Sequence, residues 1–315
     1  MEINKSSKIF VAGHRGMVGS AVVRALETAG YTNILTASKD DCNLLNQAEV
    51  HYFFDNYRPD VVIMCAAKVG GIHANNTQRA EFIYDNLMIE CNVIHAAHTY
   101  DCDNMIFLGS SCIYPKHAEQ PIKEDYLLSG KLEPTNEPYA IAKIAGIKMV
   151  EAFAAQYGRN YMSLMPTNLY GPNDNYDLST SHVLPALIRK FHEAKVNGQP
   201  TVTVWGTGKP RREFLHVDDL AACIVKLIGF NLAKGEMLNV GTGVDIELGD
   251  LAKLISKIVG YDGEIVFDTD KPDGTMRKLL DVSLVKSLGW EPVYGLADGI
   301  QKVYSELLEK YPSPF

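Results

Sequence analysis

The sequence predicts an α/β fold, a doubly wound parallel sheet covered by helices, with a smaller mixed α/β lobe built after residue 168. Three observations predict it. Short apolar runs alternate with longer helical patterns through the first half. A glycine triplet lies between the first apolar run and the first helical pattern. The second half then changes character, with an alternating strand, short apolar runs and separated helices.

The elements follow in chain order. Residues 9–12 form a buried-strand run, and residues 17–29 carry apolar side chains at helical spacing. Residues 33–37 are a second strand, and 61–67 the clearest strand in the chain. A long helix is expected over 80–100, a strand over 105–109, a helix over 138–157 and a strand over 161–165. Beyond 168, residues 184–194 read as a helix and 201–205 alternate as a strand, broken by Gly206-Thr207-Gly208. Residues 220–228 read as a helix, 237–240 as a short strand, and 248–259 as a helix with Gly260 just past its end. Asp273-Gly274 marks a turn. The expected division is 1–168 as the dinucleotide-binding domain, with 215–241 returning to it, and 169–214 with 242–315 as the substrate lobe.

Composition removes several function classes. The chain has 315 residues, 46% of them hydrophobic and 22% charged, too apolar for a disordered protein. Lys and Arg number 30 against 38 Asp and Glu, a net charge of −8, and no basic block suggests nucleic acid. The longest apolar run, 61–67, falls far short of the ~20 residues that span a bilayer. Residues 1–8 are polar without an apolar signal core. Six cysteines show no CxxC pair and no metal-ligand spacing, so reduced thiols in the cytoplasm are expected and no metal site.

The glycine triplet is Gly13-His14-Arg15-Gly16-Met17-Val18-Gly19. Glycines there let the backbone turn tightly and approach a pyrophosphate, which rests on the helix N-terminus, as in a Rossmann-type dinucleotide site. The residues after the second strand choose the cofactor. Ser38, Lys39 and Arg15 suit a 2′-phosphate and favour NADP(H), whereas Asp40 or Asp41 would accept from the free 2′-hydroxyl of NAD.

Tyr139 and Lys143 stand at i and i+4, one turn apart on one helix face. A free phenol titrates near ~10, and a nearby ammonium is expected to lower it toward acid–base duty. The same lysine suits the nicotinamide ribose. Ser110, at the end of a strand, can hold a substrate oxygen beside Tyr139.

With these residues in this order, the chain resembles the extended short-chain dehydrogenase/reductase family. Residues 13–19, 66–77, 109–115, 132–148, 165–172, 212–219, 239–245 and 271–275 carry the likeness. Within the family they resemble enzymes that both epimerise and reduce a GDP-linked 4-keto sugar. The resemblance implies cofactor contacts from the glycine loop and from Lys39, Asp40, Asp41, Asn43, Leu44, Leu108, Gly109, Ser110, Ser111, Lys143, Pro166, Thr167, Asn168, Leu169 and His182. It implies Cys112 as base and His182 as acid for inversion at C3 and C5. Ser110 and Tyr139 would stabilise the enolate oxygen, and Tyr139 would protonate the alkoxide after NADPH reduces C4. Trp205, Arg212, Lys190 and Asp273 would bind the nucleotide-sugar. Lys190 stands where some members carry arginine, which keeps the charge and loses the bidentate fork.

Rivals on this fold are disfavoured by particular residues. A 4,6-dehydratase needs an Asp-Glu pair after the catalytic hydroxyl, and this chain has Ser111-Cys112. A 4-epimerase would hold NAD through an acid after the second strand. A non-catalytic NADP sensor usually loses the Tyr or the Lys, and both are present. Between 140 and 155 only Lys143, Lys148 and Glu151 are charged, so that helix needs cover on more than one face. With helix 80–100, it is expected to pair into a four-helix homodimer interface.

Overall fold

A computed structural model describes residues 3–230, 235–271 and 273–310. Residues 231–234 of the returning stretch, and Pro272 of the 271–275 segment, lie outside the described residues. The first half runs β1 (Ile9–Ala12), α1 (Met17–Thr28), β2 (Ile34–Leu35), α2 (Gln47–Tyr57), β3 (Val61–Met64), α3 (Ile72–Thr77), α4 (Arg79–Thr99), β4 (Asn104–Leu108), α5 (Glu137–Tyr157) and β5 (Asn160–Pro166). The second runs β6 (Asn168–Tyr170), α6 (Val183–Val196), β7 (Thr201–Trp205), β8 (Arg211–His216), α7 (Val217–Leu227), β9 (Met237–Val240), β10 (Asp245–Glu247), α8 (Leu248–Val259), β11 (Glu264–Asp268), β12 (Arg277–Lys278), α9 (Ser283–Ser287) and α10 (Leu296–Lys310).

The main sheet has the order β2-β1-β3-β4-β5-β9, with every pairing parallel. Every residue of β1, β3 and β4 is buried. Successive side chains face opposite sides of a sheet, so helices must cover both. That requirement explains the unbroken runs IFVA and VVIM. Helix α1 lies against α7, and α4 lies between α2 and α5. The sequence order reverses between β1 and β3, which opens a crevice at their carboxyl ends.

A second apolar core gathers Tyr170, Leu187, Ile188, Phe191, Leu251, Ile255, Ile300 and Tyr304. Around it stand α6, α8 and α10, the parallel pair β7–β11, and β8 flanked by β6, β10 and β12. Leu280, Val282, Val285 and Trp290 join the first core instead. Strand β9 extends the main sheet beside β5, with Leu164 in register with Leu238.

Several elements depart from the sequence reading. Strand β2 is two residues long, because the chain turns early, with Cys42 N–H bonded to Ser38 O. Helix α2 was not foreseen. Its apolar face is narrow, yet its start is marked: Asn46 Oδ1 accepts from Ala48 N–H, and Glu49 accepts from the Asn46 amide. Helix α10 and strand β8 were also unassigned, although Ile300, Val303, Tyr304 and Leu307 bury one helical face. Helix α8 matches its expected bounds, and Gly260 closes it at φ 75°. No helix among the described residues is long and apolar enough to cross a membrane.

Candidate active site

Two regions carry chemistry, both at the carboxyl edge of the main sheet. The first is a cleft of about 270 Å³ at the β1/β3 crevice. Gly13, His14, Arg15, Gly16, Ser38, Lys39, Asn43 and Leu44 line it, beside Ala66 and Ile89. Gly13 adopts φ 85°, and a Cβ there would meet the Ala66 backbone at 2.8 Å. A Cβ on Gly19 would stand 2.1 Å from the Gly13 carbonyl, so the loop closes onto α1 only through glycine. Helix α1 follows Gly16, its N-cap, with no side-chain cap and no acid in its first turn. Its leading N–H groups, including those of Met17 and Val18, therefore face outward as anion donors.

The acids beside this cleft do not line it. Asp41 accepts from both the Ser38 N–H, at 2.9 Å, and the Ser38 hydroxyl, at 2.5 Å. Those bonds, with Arg15 and His14 nearby, hold its carboxyl below the usual range. Asp40 is exposed. Of the Lys, Arg, Asp and Glu residues near the cleft, those that line it are thus the cations Arg15 and Lys39.

The second region lies beyond β4. Leu108 ends the strand, and Gly109 follows where a Cβ would strike the Met165 sulfur at 2.4 Å. Ser110 caps the short turn through Ser111 and Cys112, its Oγ accepting from Cys112 N–H at 3.2 Å. Tyr139, from the first turn of α5, hydrogen-bonds Ser110 and meets Phe82 edge-on at 6.4 Å. Burial pushes the Tyr139 phenol well above its ordinary value, and Cys112 and Glu90 add to the rise.

That result corrects the expected role of Lys143. Its Nζ sits 3.0 Å from Glu90 Oε1 and 4.7 Å above the Phe107 ring, with both charged side chains 2% exposed. Glu90 on α4 neutralises the ammonium in the interior, and Tyr139 is not shifted downward. Burial raises the Glu90 carboxyl, and Lys143 opposes that rise. The sequence reading missed Glu90. The available signal was a glutamate on a helix face that is otherwise buried, with Asn86 and Val93 around it.

His182 stands just ahead of α6 as its N-cap residue, exposed to solvent. The loop before it is anchored, with Gly71 N–H donating to Thr180 O at 2.8 Å and Asp177 accepting from Thr180 N–H at 3.1 Å. Partial desolvation by neighbouring protein, and then the charge of Lys278, lowers the imidazole below its ordinary value. Lys278 Nζ also donates to Cys112 Sγ at 3.6 Å. Cys112 and His182 thus share a cationic neighbour, and Cys112 interacts with Tyr139 and Arg212 as well.

The remaining predicted residues spread outward. Pro166 ends β5, Thr167 follows it, and Asn168 and Leu169 open β6. Thr167 and Asn168 both donate to Glu213 O. Arg212 is half-buried on β8; burial lowers its guanidinium, opposed by Cys112 and Asp273. Trp205 is 59% exposed rather than core, with Lys190 Nζ 5.5 Å and Lys271 Nζ 5.7 Å from its ring. Lys190 donates to Thr203 O at 3.0 Å. Asp273 accepts from Thr207 N–H and Oγ1 at 2.7 and 2.8 Å, which commits its carboxylate to the Gly206–Gly208 turn.

Comparison with known proteins adds three likenesses. The sequence model of the NAD dependent epimerase/dehydratase family matches residues 9–241. GDP-L-fucose synthase of Escherichia coli (strain K12) is 55% identical over 312 residues, covering 96% of this chain and 97% of that one. GDP-L-fucose synthase 1 of Arabidopsis thaliana is 55% identical over 307 residues, covering 97% and 94%. A GDP-mannoheptose C4 reductase from Campylobacter jejuni, solved with NADP bound, superposes with a TM-score of 0.89 at 38% identity, covering 96% and 99%.

Proposed function

Because the chain belongs to the NAD dependent epimerase/dehydratase family, we propose that it converts GDP-4-keto-6-deoxy-D-mannose to GDP-L-fucose, by inversion at C3 and C5 followed by NADPH-dependent reduction at C4. The observation that carries this reading is the meeting of Cys112 and His182 around Lys278, beside the hydrogen-bonded Ser110 and Tyr139. A simple reductase needs only the last two. A thiol and an imidazole supply what inversion requires, one group to remove a proton and another to return it on the opposite face.

The crevice fits NADP(H). The cradle of Gly13 and Gly19 admits a diphosphate where any Cβ would intrude, the uncapped start of α1 offers N–H donors, and Arg15 and Lys39 suit a 2′-phosphate. The nicotinamide end would lie toward Leu108, Gly109, Ser111 and Pro166 to Leu169, with Lys143 and His182 in reach. When bound, NADPH supplies a hydride to C4.

The chain's own residues do the rest. Cys112 takes the proton from C3 and from C5, each acidified by the C4 ketone. Ser110 and Tyr139 donate to the C4 oxygen, where the electron pair is held as an enolate. His182 returns the proton. The raised phenol keeps Tyr139 protonated at neutral pH, which suits its last task of protonating the C4 alkoxide. Trp205 offers a flat apolar face to the nucleotide, and Arg212 and Lys190 offer positive charge to the diphosphate. Asp273 supports this surface by fixing the turn after Trp205.

The reading extends to a homodimer through α4 and α5. Tyr84 is 62% and Ile141 43% exposed on these helices, which leaves apolar surface for a second copy to cover. All six cysteines are free, in keeping with a reducing cytoplasm. The deciding experiment is NADPH oxidation with GDP-4-keto-6-deoxy-D-mannose, with GDP-L-fucose identified as product. Absence of NADPH oxidation, or a product with unchanged configuration at C3 and C5, refutes the proposal.

A further inference from the structure

We propose that Asn173 is a positioning residue, a clasp at the seam of the two lobes that sets the loop leading to His182 against helix α1, the cofactor-bearing helix. The inference rests on the function proposed above. Strand β6 ends at Tyr170 and the chain turns at once, with Asp174 N–H donating to Gly171 O at 3.3 Å. Pro172 and Asn173 are the central pair of that turn, and Asn173 adopts φ 64°. This is the pairing of a type II turn, proline first and a left-handed residue second. Glycine takes that conformation at least cost, and asparagine tolerates it better than most residues that bear a side chain. Glycine would serve the turn alone, so the amide needs a second reason.

The amide is used at both ends. Asn173 Nδ2 donates to Ser20 Oγ at 3.1 Å, and Asn173 Oδ1 accepts from Lys310 Nζ at 3.1 Å. Ser20 belongs to α1, and its hydroxyl donates to Met17 O, in the first turn, at 3.1 Å. Lys310 ends α10, in the substrate lobe. One side chain thus ties its turn to partners 153 and 137 residues away. On its other side the turn rests on α7, where a Cβ on Gly171 would meet Val217 Cγ1 at 2.3 Å.

Between Asn173 and His182 the loop is bonded to itself. Asn175 donates to Thr180 Oγ1 at 2.8 Å and accepts from Asp177 N–H at 3.0 Å. Asp177 accepts from Ser179 N–H at 3.0 Å and from Thr180 N–H at 3.1 Å. A loop tied in this way passes a shift at its head on to its tail. Inversion and reduction act on one sugar, so His182 and the nicotinamide must keep a fixed relation. Helix α1 places the cofactor, the loop places His182, and Asn173 joins the two. Without the joint each ligand still binds, and the step that needs both slows.

The test uses Asn173→Gly, which keeps the turn and removes only the amide, and Ser20→Ala, which removes its partner on α1. Hydrogen exchange read by mass spectrometry follows residues 174–181 with no sugar present. In the wild type, saturating NADPH should slow exchange there about fivefold. Both variants should lose most of that response, with the NADPH dissociation constant within about twofold. With the 4-keto sugar, kcat should fall about fivefold at little-changed KM, and the double variant should be no slower than either single one. A wild-type exchange response or a wild-type kcat in Asn173→Gly overturns the proposal, since Asn173 would then serve only the turn. An equal fall in NADPH affinity overturns it as well, by placing the effect in the cofactor cradle, and so does a wild-type loop that ignores NADPH. Wild-type protein that leaves NADPH unoxidised with the sugar refutes the proposed function instead, and the exchange response, which needs no sugar, then decides the clasp by itself.

Discussion

The cofactor cleft and the pocket around Cys112 share one sheet edge but are made of different material. The cleft is shaped by backbone. Gly13 and Gly19 are required for what they lack, and the donors are the amides at the head of α1. The pocket is made of side chains from five separate pieces of chain: Ser110 and Cys112, Tyr139, His182, Arg212 and Lys278. A backbone site tolerates loss of a side chain and fails when one is added. A side-chain site should do the reverse, with its fold and cofactor affinity intact.

The largest expected effect is in the pocket. Tyr139→Phe removes the donor to the C4 alkoxide, so the reductive rate should fall roughly 10²–10⁴-fold. The NADPH dissociation constant should stay within about twofold, because a phenol removed from a side-chain site leaves the backbone cradle in place. In the wild type the raised Tyr139 phenol stays protonated from pH 6 to 9, so stopped-flow reduction should show no loss from its ionisation in that range. A variant with half the normal turnover would remove Tyr139 from the mechanism.

Next comes Cys112→Ala. Deuterium incorporation at C3 and C5 in D₂O should fall roughly a hundredfold or more. NADPH binding should be unchanged, and slow reduction of the uninverted ketone should yield a 6-deoxy sugar of the wrong configuration. Normal GDP-L-fucose with full deuterium would make Cys112 a bystander thiol.

The cleft answers in the opposite sense. Gly19→Ala places a methyl carbon 2.1 Å from the Gly13 carbonyl, and no flexible side chain is there to yield. The loop must shift, at a cost of about 1–3 kcal/mol, which corresponds to a loss of NADPH affinity of roughly 5- to 150-fold. Titration of nicotinamide fluorescence measures it. Loss of less than twofold would mean that the cradle is more pliable than its contacts indicate.

The same contrast governs what could be read from the chain. The glycine spacing of the cleft, strand β1 and helix α8 with Gly260 were legible because each is a local requirement within a dozen residues. Tyr139 and Lys143 were legible as a pair on one helix. Glu90 was not, since its partner Lys143 lies on another helix and a lone glutamate reads as surface. Lys278 was further out of reach, 166 residues from the sulfur it meets. The turn that ties Asp41 to Ser38 was not legible for a local reason, because β2 ends earlier than its apolar run. Side-chain sites assembled by tertiary contact leave little trace in spacing, and backbone sites leave much.

The smallest effect expected concerns the two cations in the cleft, and it tests the contrast from its other side. Arg15 and Lys39 are the side-chain addition to a backbone site, and on the proposed function they meet the 2′-phosphate. Asp41, the acid that could have served a 2′-hydroxyl, is held by Ser38 and is not among the lining residues. Wild-type protein should therefore bind NADPH more tightly than NADH at fixed low salt. Each cation near an exposed phosphate contributes about 0.5–1 kcal/mol, so the Arg15→Ala/Lys39→Ala double variant should lose roughly five- to thirtyfold of that preference. NADH affinity should hardly move, because the cradle and the α1 amides still receive the diphosphate. Rising salt should shrink the wild-type preference and leave the double variant flat, as screening acts on solvent-exposed charge. If both affinities fell together, the two side chains would be shaping the loop rather than reading the phosphate, and the cleft would depend on side chains as the pocket does.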